Sequence, residues 1–212
     1  WTPDNLKGKT VTVVGLGQSG LASARFCRAA GAIVTVSEAG DANGFENEVR
    51  QLEPAGVALE FGPHRPETLE AADLVVLSPG VPHTLAPLEA ARRRGIPVVG
   101  EMELASRFIA EPIVAVTGTN GKTTTTELLG AMLKTAGMDV FVGGNIGTPL
   151  IEYVESGQSV DWLVVEVSSF QLDTIERFHP RIGCLLNISE DHLDRYTDYA
   201  AYAASKWRLF RN

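Results

Sequence analysis

The sequence predicts an α/β protein that is built from two consecutive segments, each with a parallel sheet. Short apolar runs rich in β-branched residues alternate with helix-like stretches along the chain, which is typical of doubly wound parallel sheets. A glycine-rich turn also follows the first strand candidate of each segment and opens a helix, at residues 15–20 and 118–122. We therefore expect ligands at the carboxyl ends of the strands.

The first segment contains four clear strand candidates and a weaker one. The strands are predicted at residues 10–14, 32–36, 74–77 and 97–99, with the weaker candidate at 57–61 and helices at 21–30, 87–94 and 101–110. The step from Glu111 to Pro112 disfavours further helix, because proline restricts the residue before it to extended conformations. We place a domain boundary there and predict domains at residues 1–110 and 111–212.

The second segment repeats the alternation. Strands are predicted at 113–117, 140–142, 162–166 and 183–187, and helices at 123–136 and 199–210. The last helix is amphipathic, with Tyr202, Lys206 and Leu209 on related turns. By its residue type alone, Lys206 is interpreted as an exposed helix lysine.

Composition excludes several classes of protein. The chain has 212 residues and a formal net charge of −8, which disfavours nucleic-acid binding through clustered basic residues. Cys27 and Cys184 lie in apolar surroundings and are interpreted as core residues in a reducing compartment. Residues 1–10 contain no apolar signal-peptide core, and no apolar run is long enough to span a membrane. We expect a cytoplasmic location.

The first glycine motif, Gly15-Leu16-Gly17-Gln18-Ser19-Gly20, matches the dinucleotide fingerprint in its strand-to-helix context. Glycines allow the tight turn and a close approach of the backbone to a diphosphate. Glu38 lies where a ribose-binding carboxylate is expected, about 20 residues on. This favours a Rossmann-like domain for a diphosphate ligand and leaves NAD, another diphosphate, or a turn used only for packing as alternatives. Ser78-Pro79-Gly80 falls at the same edge of the predicted sheet.

The second glycine motif, Gly118-Thr119-Asn120-Gly121-Lys122-Thr123-Thr124, has the layout of a phosphate-binding loop. Backbone N–H groups and the helix N-terminus favour phosphate oxygens, the lysine adds a full charge, and the Thr123 hydroxyl is suited to Mg²⁺. The general pattern asks for glycine where Val116 stands. A glycine turn with a solvated lysine is the alternative.

Three polar patches follow later strands of the second segment. They are Gly143-Gly144-Asn145-Ile146-Gly147, the run from Glu166 to Leu172, and the run from Asn187 to Asp194. Carboxylates and hydroxyls at strand ends beside a phosphate loop suit Mg²⁺, which prefers oxygen ligands. Taken alone, His192 reads as a hydrogen-bonding loop histidine, and Glu190 and Asp191 as a solvated turn.

Together these motifs resemble the Mur ligases, and among them the D-glutamate-adding branch. The resemblance covers essentially the whole chain, and Ser-Ser-Phe-Gln-Leu at 168–172 is its most discriminating piece. Folylpolyglutamate synthetases resemble only the second segment. The resemblance implies a Rossmann-like domain for the UDP end of the substrate, followed by an incomplete P-loop-type domain that binds ATP.

The resemblance also implies residue roles. ATP-binding residues would be Gly118, Thr119, Asn120, Gly121, Lys122, Thr123 and Thr124. Substrate-binding residues would be Gln18, Ser19, Glu38, Gly80, Asn145, Ser168, Gln171 and His192. Metal ligands would be Thr123, Glu166, His192 and Lys206 as a carbamate, and catalytic residues Lys122, His192 and Lys206. Many relatives carry Asp and a hydroxyl residue where this chain has Ser37-Glu38, at the uracil pocket.

The implied reaction joins D-glutamate to UDP-N-acetylmuramoyl-L-alanine through an acyl phosphate in peptidoglycan synthesis. ATP, two Mg²⁺ ions and a CO₂-derived carbamate would take part, in a monomer with no nucleic-acid or membrane partner. We expect that the third domain and the end of the central domain are absent and that the chain is inactive alone. An NAD-linked protein and an inert UDP-sugar-binding fragment remain as alternatives.

Overall fold

The structure is a computed structural model that describes residues 6–212. Residues 1–5 of the predicted first domain, and half of the stretch judged to lack a signal peptide, lie outside the described residues. No helix within residues 6–212 has the length and apolar character needed to cross a membrane.

The first sheet has five parallel strands in the order β3-β2-β1-β4-β5. The strands are β1 (Thr10–Val14), β2 (Ile33–Glu38), β3 (Ala58–Phe61), β4 (Leu74–Leu77) and β5 (Val98–Gly100). The helices are α1 (Gln18–Ala29), α2 (Glu46–Leu52), α3 (Pro66–Glu70), α4 (Ala86–Arg93) and α5 (Glu101–Ser106). The strand order reverses between β1 and β4, which is where such sheets bind ligands.

The second sheet has four parallel strands in the order β7-β8-β6-β9. The strands are β6 (Ile113–Thr117), β7 (Val140–Gly144), β8 (Trp162–Glu166) and β9 (Ile182–Leu185). The helices are α6 (Lys122–Thr135), α7 (Leu150–Ser156), α8 (Ser169–Leu172) and α9 (Tyr199–Trp207). The predicted fold class, two successive α/β segments with parallel sheets, is confirmed.

Two predicted helices end earlier than the sequence suggested. The helix expected at 101–110 stops at Ser106, where the Ser106 hydroxyl donates to the Glu103 carbonyl. The next turn is closed by tighter bonds, from the Arg107 N–H to Leu104 and from the Phe108 N–H to Ala105. The helix expected at 199–210 continues as a 3₁₀ turn after Trp207.

Apolar side chains from both sheets form one continuous buried cluster. It includes Val13 of the first sheet, Leu163 of the second, and Met102 and Ile151 on α5 and α7. Helices α1, α5 and α7 pack against one another between the two sheets. The two segments are therefore held together by shared burial, which positions their strand ends relative to each other.

Candidate functional site

Glycine-rich loops of both segments line a common cleft. The cleft holds a cavity of about 500 Å³. One wall is formed by the turn after β1 and by Ser78-Pro79-Gly80 after β4, and the opposite wall by the loop after β7 and by α8. Six of the eight predicted substrate-binding residues lie along this cavity: Gln18, Ser19, Glu38, Gly80, Asn145 and Gln171. Ser168 and His192 are outside the lining that the described chain provides.

The first glycine turn is held by close packing and by a carboxylate. Gly15 has φ +90°, and a Cβ on Gly20 would overlap the Gly15 carbonyl oxygen. Both carboxylate oxygens of Glu38 accept backbone N–H groups, from Leu16 at 2.7 Å and from Gly40 at 2.8 Å. Glu38 thus orders the turn as well as lining the cavity, a role that the spacing argument missed.

The phosphate loop joins β6 to α6 as the sequence predicts. Gly121 precedes the helix with φ +81°, a conformation that favours glycine. The Lys122 ammonium donates to the Thr119 carbonyl at 2.8 Å, inside its own loop. Asn187 had no predicted role of its own, but its side chain bonds both the N–H and the carbonyl of Asn120, at 3.0 Å each. The side-chain amide of Asn187, which follows β9, therefore stabilises the phosphate loop through two hydrogen bonds.

Glu166, at the end of β8, links the phosphate loop to the cleft. One carboxylate oxygen accepts the Thr123 hydroxyl at 2.7 Å, and the other accepts the Asn145 side-chain amide at 2.8 Å. Glu166 is buried. Its oxygens and the Thr123 hydroxyl are hard ligands of the type that fit Mg²⁺. No cluster of three or more His, Cys, Asp or Glu side chains within residues 6–212 could hold a metal, so an ion here would need other oxygen donors.

Lys206 is buried, in contrast to its interpretation as an exposed helix lysine. Only 1% of its surface is exposed, and its ammonium donates to the Gly118 carbonyl at 2.9 Å. Desolvation, followed by the charge of Lys122, lowers the pKa of Lys206 to about 8. An ammonium at this place does not fit a metal ligand, whereas a neutral amine can react with CO₂ to give an anionic oxygen donor.

His192 lies in the loop before α9 with φ +53°. Its ring centroid is 4.9 Å from that of Phe170 and 6.0 Å from that of Tyr202. The same Tyr202 ring lies 4.7 Å from the Lys206 ammonium, and its hydroxyl is 3.1 Å from that of Thr119. Tyr202 therefore connects His192, Lys206 and the phosphate loop. It was not among the predicted site residues.

Ser168 and Gln171 pair with each other at the start of α8. The Ser168 oxygen accepts the Gln171 N–H at 3.3 Å, and the Gln171 side-chain oxygen accepts the Ser168 N–H at 3.0 Å. This capping box satisfies backbone donors at the helix start. It also explains locally why Ser168 and Gln171 occur three residues apart.

Comparison with known families gives two matches that follow one another along the chain. Residues 9–100 match the Mur ligase MurD-like, N-terminal domain. Residues 116–212 match the Mur ligase middle domain.

Curated relatives share about half of the residues. A UDP-N-acetylmuramoylalanine–D-glutamate ligase from Desulfosudis oleivorans is 55% identical over 210 residues, which are 99% of this chain and 46% of the relative. An enzyme with the same name from Desulfatibacillum aliphaticivorans is 52% identical over 208 residues, which are 98% of this chain and 46% of the relative. The chain thus spans a little under half the length of these relatives.

Solved structures show the same fold at lower identity. The UDP-N-acetylmuramate:L-alanyl-gamma-D-glutamyl-meso-diaminopimelate ligase of Neisseria meningitides has a TM-score of 0.59 at 22% identity, over 96% of this chain and 68% of that one. A murein peptide ligase from Psychrobacter arcticus has a TM-score of 0.55 at 24% identity, over 96% of this chain and 47% of that one.

Proposed function

The chain belongs to the Mur ligase family, and we propose that it supplies the substrate-binding and ATP-binding parts of a D-glutamate-adding ligase. The enzyme would join D-glutamate to UDP-N-acetylmuramoyl-L-alanine in peptidoglycan synthesis. The observation that carries the proposal is the position of Glu166, whose two oxygens contact Thr123 of the phosphate loop and Asn145 of the cleft. A substrate in the cleft and a nucleotide on the loop would meet at this carboxylate.

We assign the UDP end of the substrate to the domain at residues 1–110. The backbone of the Gly15–Gly20 turn would approach the diphosphate, with Gln18, Ser19, Glu38 and Gly80 around it. The alanyl carboxylate would reach across the cleft towards Asn145 and Gln171, with Ser168 and His192 beyond them, in the domain at 111–212. NAD is not favoured as the ligand, because the first glycine motif alone supports that alternative.

The phosphate loop from Gly118 to Thr124 would bind ATP, with Lys122 neutralising charge on the phosphates. Mg²⁺ would be held by Thr123, Glu166, His192 and the carbamate of Lys206. When bound, these ions polarise phosphoryl oxygens and offset the charge that develops during transfer. Lys206 is well suited to modification, because it is buried and its pKa is lowered towards neutrality.

The chemistry follows from the poor reactivity of a carboxylate as an acyl donor. Transfer of the terminal phosphate of ATP to the alanyl carboxylate creates an acyl phosphate, and attack by the D-glutamate amine forms the amide and releases phosphate. Lys122 and the loop amides would position the reacting groups. We propose a cytoplasmic monomer without nucleic-acid or membrane partners.

Calorimetric titration of the chain with UDP-N-acetylmuramoyl-L-alanine, ATP and NAD tests the proposal. Binding of the UDP-sugar and of ATP, without binding of NAD, is expected. Binding of the UDP-sugar without ATP would favour an inert UDP-sugar-binding fragment. Tight NAD binding without the UDP-sugar would refute the ligase assignment.

A further inference from the structure

Helix α5 carries two buried carboxylates from the first segment into the second. Glu101 and Glu103 are 1% and 0% exposed. Neither residue lines the 500 Å³ cavity or belongs to the phosphate loop. Burying two carboxylates is costly unless their oxygens accept hydrogen bonds, so their partners indicate what the helix does.

Glu101 anchors α7, the helix that follows the cleft-lining loop after β7. Its Oε1 accepts the Ile151 N–H at 2.7 Å, at the start of α7. Residues 143–149 lie immediately before α7 and contribute Gly144, Asn145 and Pro149 to the cavity wall. The other oxygen of Glu101 has no hydrogen-bond partner within the described residues. Burial accordingly raises the pKa of Glu101 to about 7.

Glu103 anchors the segment that follows α8, the helix on the same wall of the cavity. Its carboxylate accepts the N–H groups of Glu176, Arg177 and Phe178 at 2.9 to 3.1 Å. It also accepts the Arg107 guanidinium at 2.8 Å. Residues 176–178 follow α8, which places Gln171 on the cavity. Both oxygens of Glu103 therefore face only donors.

The start of α5 leaves little space between the segments. A Cβ on Gly100 would overlap the Thr174 hydroxyl oxygen, and that hydroxyl donates to the Gln171 carbonyl at 3.0 Å. The backbone at Gly100 thus packs directly against the turn after α8. A larger residue at 100 would displace that turn.

We propose that Glu101 and Glu103 are positioning residues, which set the loop bearing Asn145 and the helix bearing Gln171 opposite the first glycine turn. Each carboxylate would act through one element of the second segment, and together they would fix the width of the cleft. The identity of the ligand rests on the proposed function. A substrate that spans the cleft would depend on this spacing, whereas a ligand held only by the first segment would not.

The bonding of the two residues predicts opposite responses to the change from carboxylate to amide. Gln at 101 keeps an oxygen for the Ile151 N–H, so Glu101→Gln should bind both ligands like the unmodified chain, whereas Glu101→Ala loses the contact. Gln at 103 places an NH₂ group against at least two donors in either orientation, so Glu103→Gln should be disruptive. Glu46→Gln, on exposed α2, is the matched control.

Two measurements on the 212-residue chain test the proposal. Calorimetry compares UDP-N-acetylmuramoyl-L-alanine, which would span the cleft, with UDP, which would bind the first segment. We expect Glu101→Ala and Glu103→Gln to weaken binding of the spanning substrate about tenfold, because small misplacements are costly in oriented binding. UDP affinity should be unchanged, and so should both affinities of Glu101→Gln and Glu46→Gln.

Hydrogen exchange of the Gly144 and Asn145 amides is the second readout and needs no ligand. These amides bond the Thr148 and Glu166 carbonyls at 2.9 Å, and they should exchange faster in Glu101→Ala, because Glu101 holds the helix that follows this loop. Equal weakening of both ligands, or unchanged affinity and exchange in Glu101→Ala, would overturn the inference. If Glu103→Gln does not fold, the Ala and Gln variants at 101 decide. If the unmodified chain binds neither ligand, the proposed function fails and exchange still judges the positioning role.

Discussion

At the scale of single residues, Glu166 connects the two halves of the candidate site. Its carboxylate contacts the phosphate loop on one side and the cleft on the other, through Thr123 and Asn145. The partners lie 43 and 21 residues from it along the chain. Lys122 and Lys206 bring two positive charges to the same loop, through bonds to the carbonyls of Thr119 and Gly118.

Lys122→Ala should weaken ATP binding while the fold is retained. Among residues 6–212, the lysine bonds only to the carbonyl of Thr119 within its own loop, so its loss should cost about 1 kcal/mol of stability or less. A charge directed at phosphates is typically worth factors of about 10² or more. Calorimetry with an ATP analogue and thermal unfolding test this, with exposed Lys134→Ala on the same helix as control. Affinity within a few-fold of the unmodified chain would contradict the assigned role.

Lys206→Ala should abolish ligation in the complete enzyme, and acetate should partly restore it. Only the neutral amine reacts with CO₂, and burial lowers the pKa of Lys206 from 10.5 to about 8. The neutral fraction, and with it the carbamate, should therefore rise as the pH increases through about 8. ¹³C NMR with labelled bicarbonate should show one carbamate signal that the Ala variant lacks. No signal and no rescue would count against the modification.

At the scale of elements, the start of α1 separates glycines needed for packing from glycines needed for access. A Cβ on Gly20 would overlap the Gly15 carbonyl and lie 2.7 Å from the Ser78 hydroxyl. A Cβ on Gly17 would have no heavy atom within 4 Å, although Gly17 lines the cavity. The same motif thus contains two different constraints.

Gly20→Ala should destabilise the chain by about 1–3 kcal/mol, which is typical of an overpacked site. Gly17→Ala should leave the unfolding midpoint nearly unchanged and weaken UDP binding, since its methyl group would enter the space needed for a diphosphate. Urea unfolding and calorimetry on both variants separate the two effects. Equal destabilisation by both substitutions would show that the packing argument is wrong.

At the scale of the whole molecule, α5 and the continuous core join the two sheets. Additional bonds cross between the segments at the surface. Arg25 pairs with Glu155 at 2.6 Å, and the Arg195 guanidinium donates to the Gly80 carbonyl at 3.2 Å. Exposed ion pairs contribute little, so shared burial dominates the stability of this junction.

The contribution of Glu101 to stability should fall as the pH rises from about 4.5 to about 7. Burial raises the folded-state pKa of Glu101 from 4.5 to about 7. In that window Glu101 binds more protons in the folded chain than in the unfolded chain, so its titration favours unfolding as the pH increases. The full effect is on the order of 3 kcal/mol. The free energy of unfolding in urea should depend on pH differently in the unmodified chain and in Glu101→Gln across this window. The same pH dependence in both would contradict the raised pKa of Glu101.

The 212-residue chain alone should not complete ligation. It spans 46% of the length of its curated relatives, and an open site loses the proximity and water exclusion that such chemistry requires. UDP-sugar binding should survive, because Gln18, Gly80 and Asn145 already line one cavity. A ligation assay with ATP, Mg²⁺ and both substrates tests this, beside a complete relative as positive control. Turnover near that of the relative would show that the 212 residues suffice.

The sequence by itself determined the features that depend on neighbouring residues. Apolar runs separated by glycine turns defined the parallel-strand segments, and Gly118 to Thr124 defined a phosphate loop, because strand, turn and helix preferences act over a few residues. The family resemblance added site residues that lie far apart. The predicted ends of helices were less accurate, as for the helix that stops at Ser106, since local side-chain bonds decide where a helix ends.

Only the tertiary structure decided which distant groups meet and which are buried. Lys206 was interpreted as an ordinary exposed helix lysine, yet packing against Tyr202 and Gly118 buries it. Glu101 and Glu103 gave no signal in the sequence, because a carboxylate in a helix is ordinarily solvated. The backbone N–H groups that their carboxylates accept lie 50 to 75 residues away. Burial and hydrogen-bond partners are properties of the packed chain, so the assembled fold alone could reveal this junction.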